Sequence, residues 1–350
     1  MLKSPKTWIC LCLIAGLLMG LTGCGPSGGG SAPQSTVYFT YFDTVSNIYS
    51  YAGDSQADFE ANCAEVTQVL QHYHRLFDIY HEYTGMVNLA TINQNAGGQA
   101  LEVSPELIAF LLYARRMYNV SGGKMNVMLG SVLRLWHDCR EEADRDPEGA
   151  RIPTEAELTQ AAAHTDISAL EIDAQRNTVR ISDPAASLDV GALAKGYAAE
   201  RAAEALEDAG VTGYVLDIGG NLRLVGTKPD GSGWTTGVKD PQDPETYAAK
   251  LVLSDTSCVT SGDYERYFTV DGVRYHHIID PDTYMPATYF SSVTVIAPDS
   301  GLADALSTAL FCMSYEEGLA LVQEMDNVQV LWILADGTQY RTPDLPLAGN

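Results

Sequence analysis

The chain has 350 residues, 46% of them hydrophobic and 19% charged, and a formal net charge of −24. That acidity excludes a nucleic-acid binder held by phosphate contacts and a protein held to anionic lipid by charge alone. Any anionic ligand needs a local cation to overcome the background field.

The N-terminus sets Lys3 and Lys6 before the apolar run WICLCLIAGLLMG, with no acidic residue before Cys24. This reads as a secretory signal, and it is too short for a comfortable membrane span. It ends in Leu21-Thr22-Gly23-Cys24, which resembles the lipobox of bacterial lipoproteins. The resemblance implies removal of residues 1–23, lipidation of Cys24 and an extracytoplasmic protein anchored by lipid to the cell membrane. Residues 24–36 follow as a Gly/Ser/Pro-rich tether, and residues 37–350 are expected to form one domain.

STVYFTYFDTVSNIYSY is rich in β-branched and aromatic residues around Asp43-Thr44, and predicts a hairpin or bent strand pair. Residues 55–77 and 104–119 predict amphipathic helices, the second with proline at a favoured first-turn position. The stretch 138–153, DCREEADRDPEGARIP, is the most charged and turn-prone and reads as an exposed excursion. ALEIDAQRNTVRIS predicts a hairpin, and ALAKGYAAERAAEALEDAG a helix stopped by Gly210. Short strands then alternate with Gly, Asp and Pro turns from Tyr214 to Val295. Helices are expected at 302–313 and 315–324, then a strand at VQVLWIL. Strands and helices mix without regular βαβ alternation, so the fold class is α+β. Cys63 and Cys312 lie on apolar faces and read as buried. A disulfide among Cys63, Cys139, Cys258 and Cys312 is open, and no zinc-type cysteine pairing survives after the signal.

Several stretches carry chemistry. SLDVGALAKGYAAE runs from a strand ending at Asp189 through Gly191 into a helix whose first turn holds Lys195. Free N–H groups, a glycine and a nearby cation suit a phosphate, although such a junction taken alone is usually structural. YVLDIGGNLRLVG places Gly219-Gly220 between apolar runs, as a tight turn does. His276 and His277 are adjacent on a strand and so face opposite ways. In the apolar helix after Pro298, Asp304, Ser307 and Thr308 share one face. Asp304 and Thr308 offer two oxygen ligands to a hard cation such as Mg²⁺; an internally hydrogen-bonded Asp304 is the alternative.

In chain order, FDT, SLDVGALAKGYAAE, LDIGGNLRLVG, TSGDYERYF, HHIIDPDTYMP and ADALSTALF resemble the ApbE family, the FAD:protein FMN transferases, across residues 42–313. The resemblance implies a T-fold-related α+β domain that moves FMN from FAD onto a Thr or Ser hydroxyl of a target protein, with Mg²⁺ required and AMP released. It implies Asp304, Thr308 and the Ala192 carbonyl as metal ligands. Phe42, Tyr80, Asp189, Lys195 and Ile278 fall where the family contacts FAD, and His277 where its motif histidine stands, a candidate general base. The chain departs from the pattern at Lys124-Met125-Asn126, which replaces Ala-Phe-Asp; these three are expected to contact FAD with altered polarity. The acceptor would be a membrane redox subunit or a secreted flavoprotein. An FAD pyrophosphatase, with water in place of the hydroxyl, and a non-catalytic flavin-binding lipoprotein are the rival readings.

Overall fold

The computed structural model describes residues 33–243 and 245–349. The signal, Cys24 and most of the tether lie outside the described residues. Strands β1 (Gln34–Tyr41) and β2 (Thr44–Ser50) form the expected hairpin. Its first strand begins at Gln34, inside the stretch read as tether. The two-residue loop holds Phe42 and Asp43 at φ of 54° and 49°, the left-handed backbone that a type I′ hairpin turn demands.

Helix α1 (Gln56–Phe77) is capped by Ser55, and α2 (Leu89–Gln94) by Asn88. After β3 (Leu101–Glu102), Ser104 caps α3 (Pro105–Val120). Helix α4 (Gly130–Arg145) takes in the first half of the stretch expected to be an excursion, whose remainder, 146–153, is a short turn and loop. Its polar residues lie outward, while Trp136, Cys139 and Ala143 are buried at three- and four-residue spacing. The charge-rich composition masked that stripe. Thr154 and Glu157 form a capping box on α5 (Glu155–Ala162). Strands β4 (Leu170–Asp173) and β5 (Thr178–Ile181) complete a three-stranded sheet with β3.

The rest of the chain comprises α6 (Ala194–Asp208), β6 (Tyr214–Ile218), β7 (Asn221–Val225), β8 (Trp234–Lys239), β9 (Tyr247–Leu253), β10 (Thr256–Gly262), β11 (Tyr267–Val270), β12 (Val273–His276), β13 (Ser292–Ala297), α7 (Ser300–Phe311), α8 (Tyr315–Gln323), β14 (Gln329–Ile333) and β15 (Gln339–Arg341). An eight-stranded antiparallel sheet runs β1-β2-β6-β7-β10-β13-β14-β15. The class is α+β, as the mixed order of elements predicts.

Side-chain alternation assigns the two faces of this sheet. Val293, Val295, Val330 and Trp332 point into the helical core with α7. Ile296, Leu331 and Ile333 point the other way, under the β8–β9 hairpin and its Trp234, Val238 and Leu251. Helix α6 lies between α1 and α7. It fits there because Ala198, Ala199, Ala202 and Ala203, all fully buried, add almost no girth. Against them sit Ile48, Leu70, Leu216 and Ile218, each also fully buried; burying such a side chain contributes roughly 1.5–3 kcal/mol.

A buried ion network fixes α6, β7 and the start of α7. Arg223 Nε meets Glu200 at 3.2 Å, and its other nitrogens reach Glu207 at 2.8 Å and Asp255 at 3.3 Å. The second job of Glu200 is to accept the Ser300 N–H at 2.6 Å. Burial pushes its carboxyl up; Arg223 and that N–H pull it back. Glu200→Ala removes one partner of a buried charge and strands an N–H, so unfolding free energy should fall by about 3 kcal/mol or more in a urea titration. A loss under about 1 kcal/mol would mean the network is dispensable.

All four described cysteines are free and buried, so the disulfide left open by the sequence is not formed. Among the described residues no helix is long and apolar enough to cross a membrane.

Candidate active site

The site begins where α6 crosses α7. Gly196 faces α7 so closely that a Cβ there would lie 2.3 Å from the Ser300 carbonyl oxygen and 2.5 Å from Asp304 Cβ. Only glycine allows that approach. Helix α6 begins at Ala194, so the Gly196 N–H is one of those left without a partner at a helix start. It donates to Asp304 Oδ2 at 2.8 Å, while the carbonyl of Ala192, on the turn before the helix, accepts no hydrogen bond among the described residues. One glycine therefore lets the helices touch and pairs a nearly buried carboxylate.

Asp304 is 3% exposed, and a carboxylate so placed is costly unless it is paired. The remaining attraction comes from Lys195 Nζ, 3.5 Å from Oδ1. Lys195 also reaches back to the Gly191 carbonyl at 3.5 Å. One turn beyond Asp304, Thr308 Oγ1 lies 3.4 Å from Ser261 Oγ, which is 2.8 Å from Ser307 Oγ. Ser307 in turn donates to the Asp304 carbonyl at 3.0 Å. Asp304, Thr308, Ala192 and Lys195 all line one cavity of about 2150 Å³.

The strand expected to end at Asp189, before α6, does not form. Residues 187–190 pair with no strand. The Asn93 amide takes the place of a neighbouring strand, donating to the Leu188 carbonyl at 2.9 Å and accepting its N–H at 2.7 Å. This holds Asp189 at the cavity, where its carboxylate accepts the Gly191 N–H at 2.9 Å. Surrounding protein pushes its carboxyl up from the ordinary range.

The two histidines divide at the end of β12, which stops at His276. His276 turns inward, with Nε2 2.8 Å from the Ala287 carbonyl and Nδ1 accepting the Ile278 N–H at 3.2 Å. Both ring nitrogens are thereby engaged in holding the backbone. His277 opens onto the cavity, with Nδ1 3.2 Å from the Arg266 carbonyl. The ring is open on the cavity side and walled by protein elsewhere. That enclosure, with Arg266 and Lys195 adding positive charge, lowers its pKa to about 3. His277 is therefore neutral at physiological pH.

The other expected contacts are placed unevenly. Phe42 lines the cavity on its type I′ turn, its N–H donating to His74 Nδ1 at 3.2 Å. A bulky residue with positive φ is a costly conformation that clusters at functional sites. Tyr80 stands at the rim, 59% exposed. Ile278 lines the cavity, but its N–H goes to His276 and its carbonyl accepts the Ala287 N–H. Lys124 lies 2.8 Å from Asp280 and 2.9 Å from Asp282, so the extra cation of the departing motif is neutralised within the protein. Asn126 is likewise occupied, donating to the Thr165 carbonyl and accepting the Met128 N–H. Met125 is buried.

Sequence reasoning missed His74, Arg266 and Asn221. His74 sits on an amphipathic helix face with no local signal. Asn221 opens β7 directly after Gly219-Gly220. It is 2% exposed, lines the cavity and carries an Nδ2 with no partner. The double glycine could have flagged it. Gly219 has φ of 61°, and a Cβ there would lie 2.4 Å from Thr44 Oγ1, so the turn closes against the β1–β2 loop at the cavity mouth.

Among the described residues no three His, Cys, Asp or Glu side chains form a metal cluster. The donors gathered here are one carboxylate, one hydroxyl and one backbone carbonyl. Such hard oxygens suit a cation that keeps water or phosphate in its other positions, so the residues present fit Mg²⁺.

A cavity that brings hard-oxygen donors, a lysine and a neutral histidine together at a helix start defines an enzyme handling a phosphate-bearing ligand. Comparison with known proteins narrows the class. The profile described as the ApbE family matches residues 42–332, and the chain belongs to that family. It is 31% identical to the FAD:protein FMN transferase of Treponema pallidum, covering 96% of this chain and 93% of that one. It is 30% identical to the protein of the same name from Vibrio cholerae, covering 94% of each. Among solved structures, the ApbE protein of Thermotoga maritima superposes with a TM-score of 0.78 at 29% identity, over 89% of this chain and 98% of that one. The flavin transferase ApbE of Vibrio cholerae does so with a TM-score of 0.74 at 28% identity, over 89% and 98%.

Proposed function

We propose that the protein transfers FMN from FAD to a Ser or Thr hydroxyl of a target protein. The hydroxyl oxygen forms a new bond to the FMN phosphorus, the P–O bond to the AMP half breaks, and AMP leaves. The observation that carries this reading is the α6–α7 crossing, which sets Asp304 against the start of α6 in the cavity that also holds the Ala192 carbonyl, Lys195 and His277. Asp304, Thr308 and the Ala192 carbonyl would hold Mg²⁺, which supplies charge neutralisation at the pyrophosphate. Lys195 adds a second cation at a helix start, where phosphate is already favoured. His277 takes the proton of the attacking hydroxyl. Phe42, Tyr80, Asp189 and Ile278 line the space for FAD, with Lys124, Met125 and Asn126 forming its wall.

Incubating the protein with FAD, Mg²⁺ and a candidate acceptor, then weighing the acceptor, tests this directly. Covalent FMN with stoichiometric AMP supports transfer. Free FMN and AMP with an unmodified acceptor means hydrolysis, and bound but unchanged FAD means a carrier.

The lipobox-like Leu21-Thr22-Gly23-Cys24 supports lipid anchoring outside the cytoplasm. Cys24→Ala should leave the precursor unprocessed or release the protein from membranes on fractionation. Unchanged processing and membrane association would contradict the anchor.

A further inference from the structure

We propose that the acceptor protein reaches the site as an extended segment added to the free edge of β8, along a groove on the sheet face opposite the helices. This rests on the transferase reading. The cavity is larger than one dinucleotide needs: about 2150 Å³, against roughly 300–1,000 Å³ for ordinary small-molecule sites. It does not stop at Asp304 and His277. It rounds the end of the sheet at Thr44 and Gly219-Gly220, then continues over the far face of β2, β6 and β7, where Val45, Asn47 and Tyr49 alternate on β2 and Tyr51 follows just past its end. At about 3.3 Å per residue, Val45 to Tyr49 alone spans roughly 13 Å.

One side of this groove is an unpaired strand. Strand β8 pairs with β9 alone among the described residues. The outer edge of β9 is already taken by the C-terminal segment, through Val252 N–H to the Pro346 carbonyl at 2.9 Å and Ala348 N–H to the Lys250 carbonyl at 2.8 Å. The outer edge of β8 is not, and Trp234, Thr235, Thr236, Gly237 and Lys239 of that strand line the cavity. A strand edge offers a row of backbone donors and acceptors that an extended polypeptide matches and a dinucleotide does not. Around it stand rigid aromatic surfaces. Tyr51 meets Trp234 edge-on at 4.9 Å, and Tyr247 is 60% exposed. Asp217 and Lys239 add polar groups to the groove. The chain to be modified is a polypeptide whose hydroxyl must arrive at the site, and this groove leads there.

The test uses a library of 15-residue peptides with a fixed central threonine, incubated with the full protein, FAD and Mg²⁺ and sorted for covalent flavin. Two variants are compared with wild type, the pair Tyr49→Ala/Tyr247→Ala and the edge-blocking Thr235→Pro, with FAD dissociation constants measured alongside. The proposal expects wild type to label peptides enriched at alternate flanking positions. It expects both variants to need at least about tenfold more peptide, with FAD affinity unchanged. Labelling by both variants equal to wild type, no peptide labelled by an FAD-binding wild type, or FAD affinity lost in the Tyr pair would each overturn it. Failure of wild type to bind FAD, or to flavinylate any intact protein acceptor, would strike the transferase reading instead.

Discussion

Asp304→Ala loses transfer by well over 100-fold at Mg²⁺ concentrations that saturate wild type, while its circular dichroism spectrum stays native. Removing a residue that merely orients a metal ligand typically costs about 10–100-fold, and Asp304 supplies the one carboxylate of the donor set. The fold should survive because the Gly196 N–H gains access to cavity water in place of the carboxylate. The α6–α7 crossing is also held elsewhere, by Glu200 on the Ser300 N–H. Raising Mg²⁺ should recover part of the rate, since Thr308 and the Ala192 carbonyl remain. Thr308→Val should cost less, a neutral hydroxyl being a weaker ligand than a carboxylate. An Asp304→Ala enzyme with the wild-type rate and the same Mg²⁺ dependence would refute the metal assignment.

His277→Asn should slow transfer by about 10²–10⁴-fold, the usual contribution of a positioned general base, with FAD affinity kept. The pH profile offers a second check. Because the pKa of His277 is lowered to about 3, its neutral form persists as pH falls through the ordinary histidine value of about 6.5. The acid limb of the wild-type rate should therefore lie well below pH 6. The same depression bears on stability. The unfolded chain protonates His277 near its ordinary value while the folded one does not, so this group costs stability as pH drops below about 6.5. His276→Asn should instead cost stability more than rate, because both its ring nitrogens bond the backbone. The alternative bases are already engaged: Asp280 holds Lys124 at 2.8 Å, and Asp263 accepts from Ser291 at 3.0 Å. A His277→Asn enzyme within a few-fold of wild type would mean that His277 is not the base.

The legible parts of this fold are those written in short-range patterns. The alternation of the β1–β2 hairpin, the starts of α1 and α3 near residues 55 and 104, and the apolar run of α7 with its two ligand candidates one turn apart each follow from residues adjacent in sequence or helix face. What stayed hidden depends on contacts between distant segments. Residues 187–190 read as a strand but are held by the Asn93 side chain, which no periodicity reveals. Lys124 looked like a spare cation for FAD, yet Asp280 and Asp282, more than 150 residues on, absorb its charge. Helix α4 was obscured because surface charge outnumbers its narrow buried stripe. Within the site, the motif residues could be named singly. The Gly196 N–H on Asp304, which joins a glycine and an aspartate into one unit, needed the crossing of two helices separated by about 100 residues.

The central claim is that this crossing builds a hard-cation site at the reacting phosphates. Its most direct test is a crystal structure of the protein soaked with Mn²⁺ and ADP, with the ion located by anomalous scattering. The account predicts a peak bonded to an Asp304 carboxylate oxygen, Thr308 Oγ1 and the Ala192 carbonyl at about 2.1 Å, with a phosphate oxygen of ADP completing the shell. An ion held elsewhere, or ADP bound with no ion between its phosphates and Asp304, would contradict it.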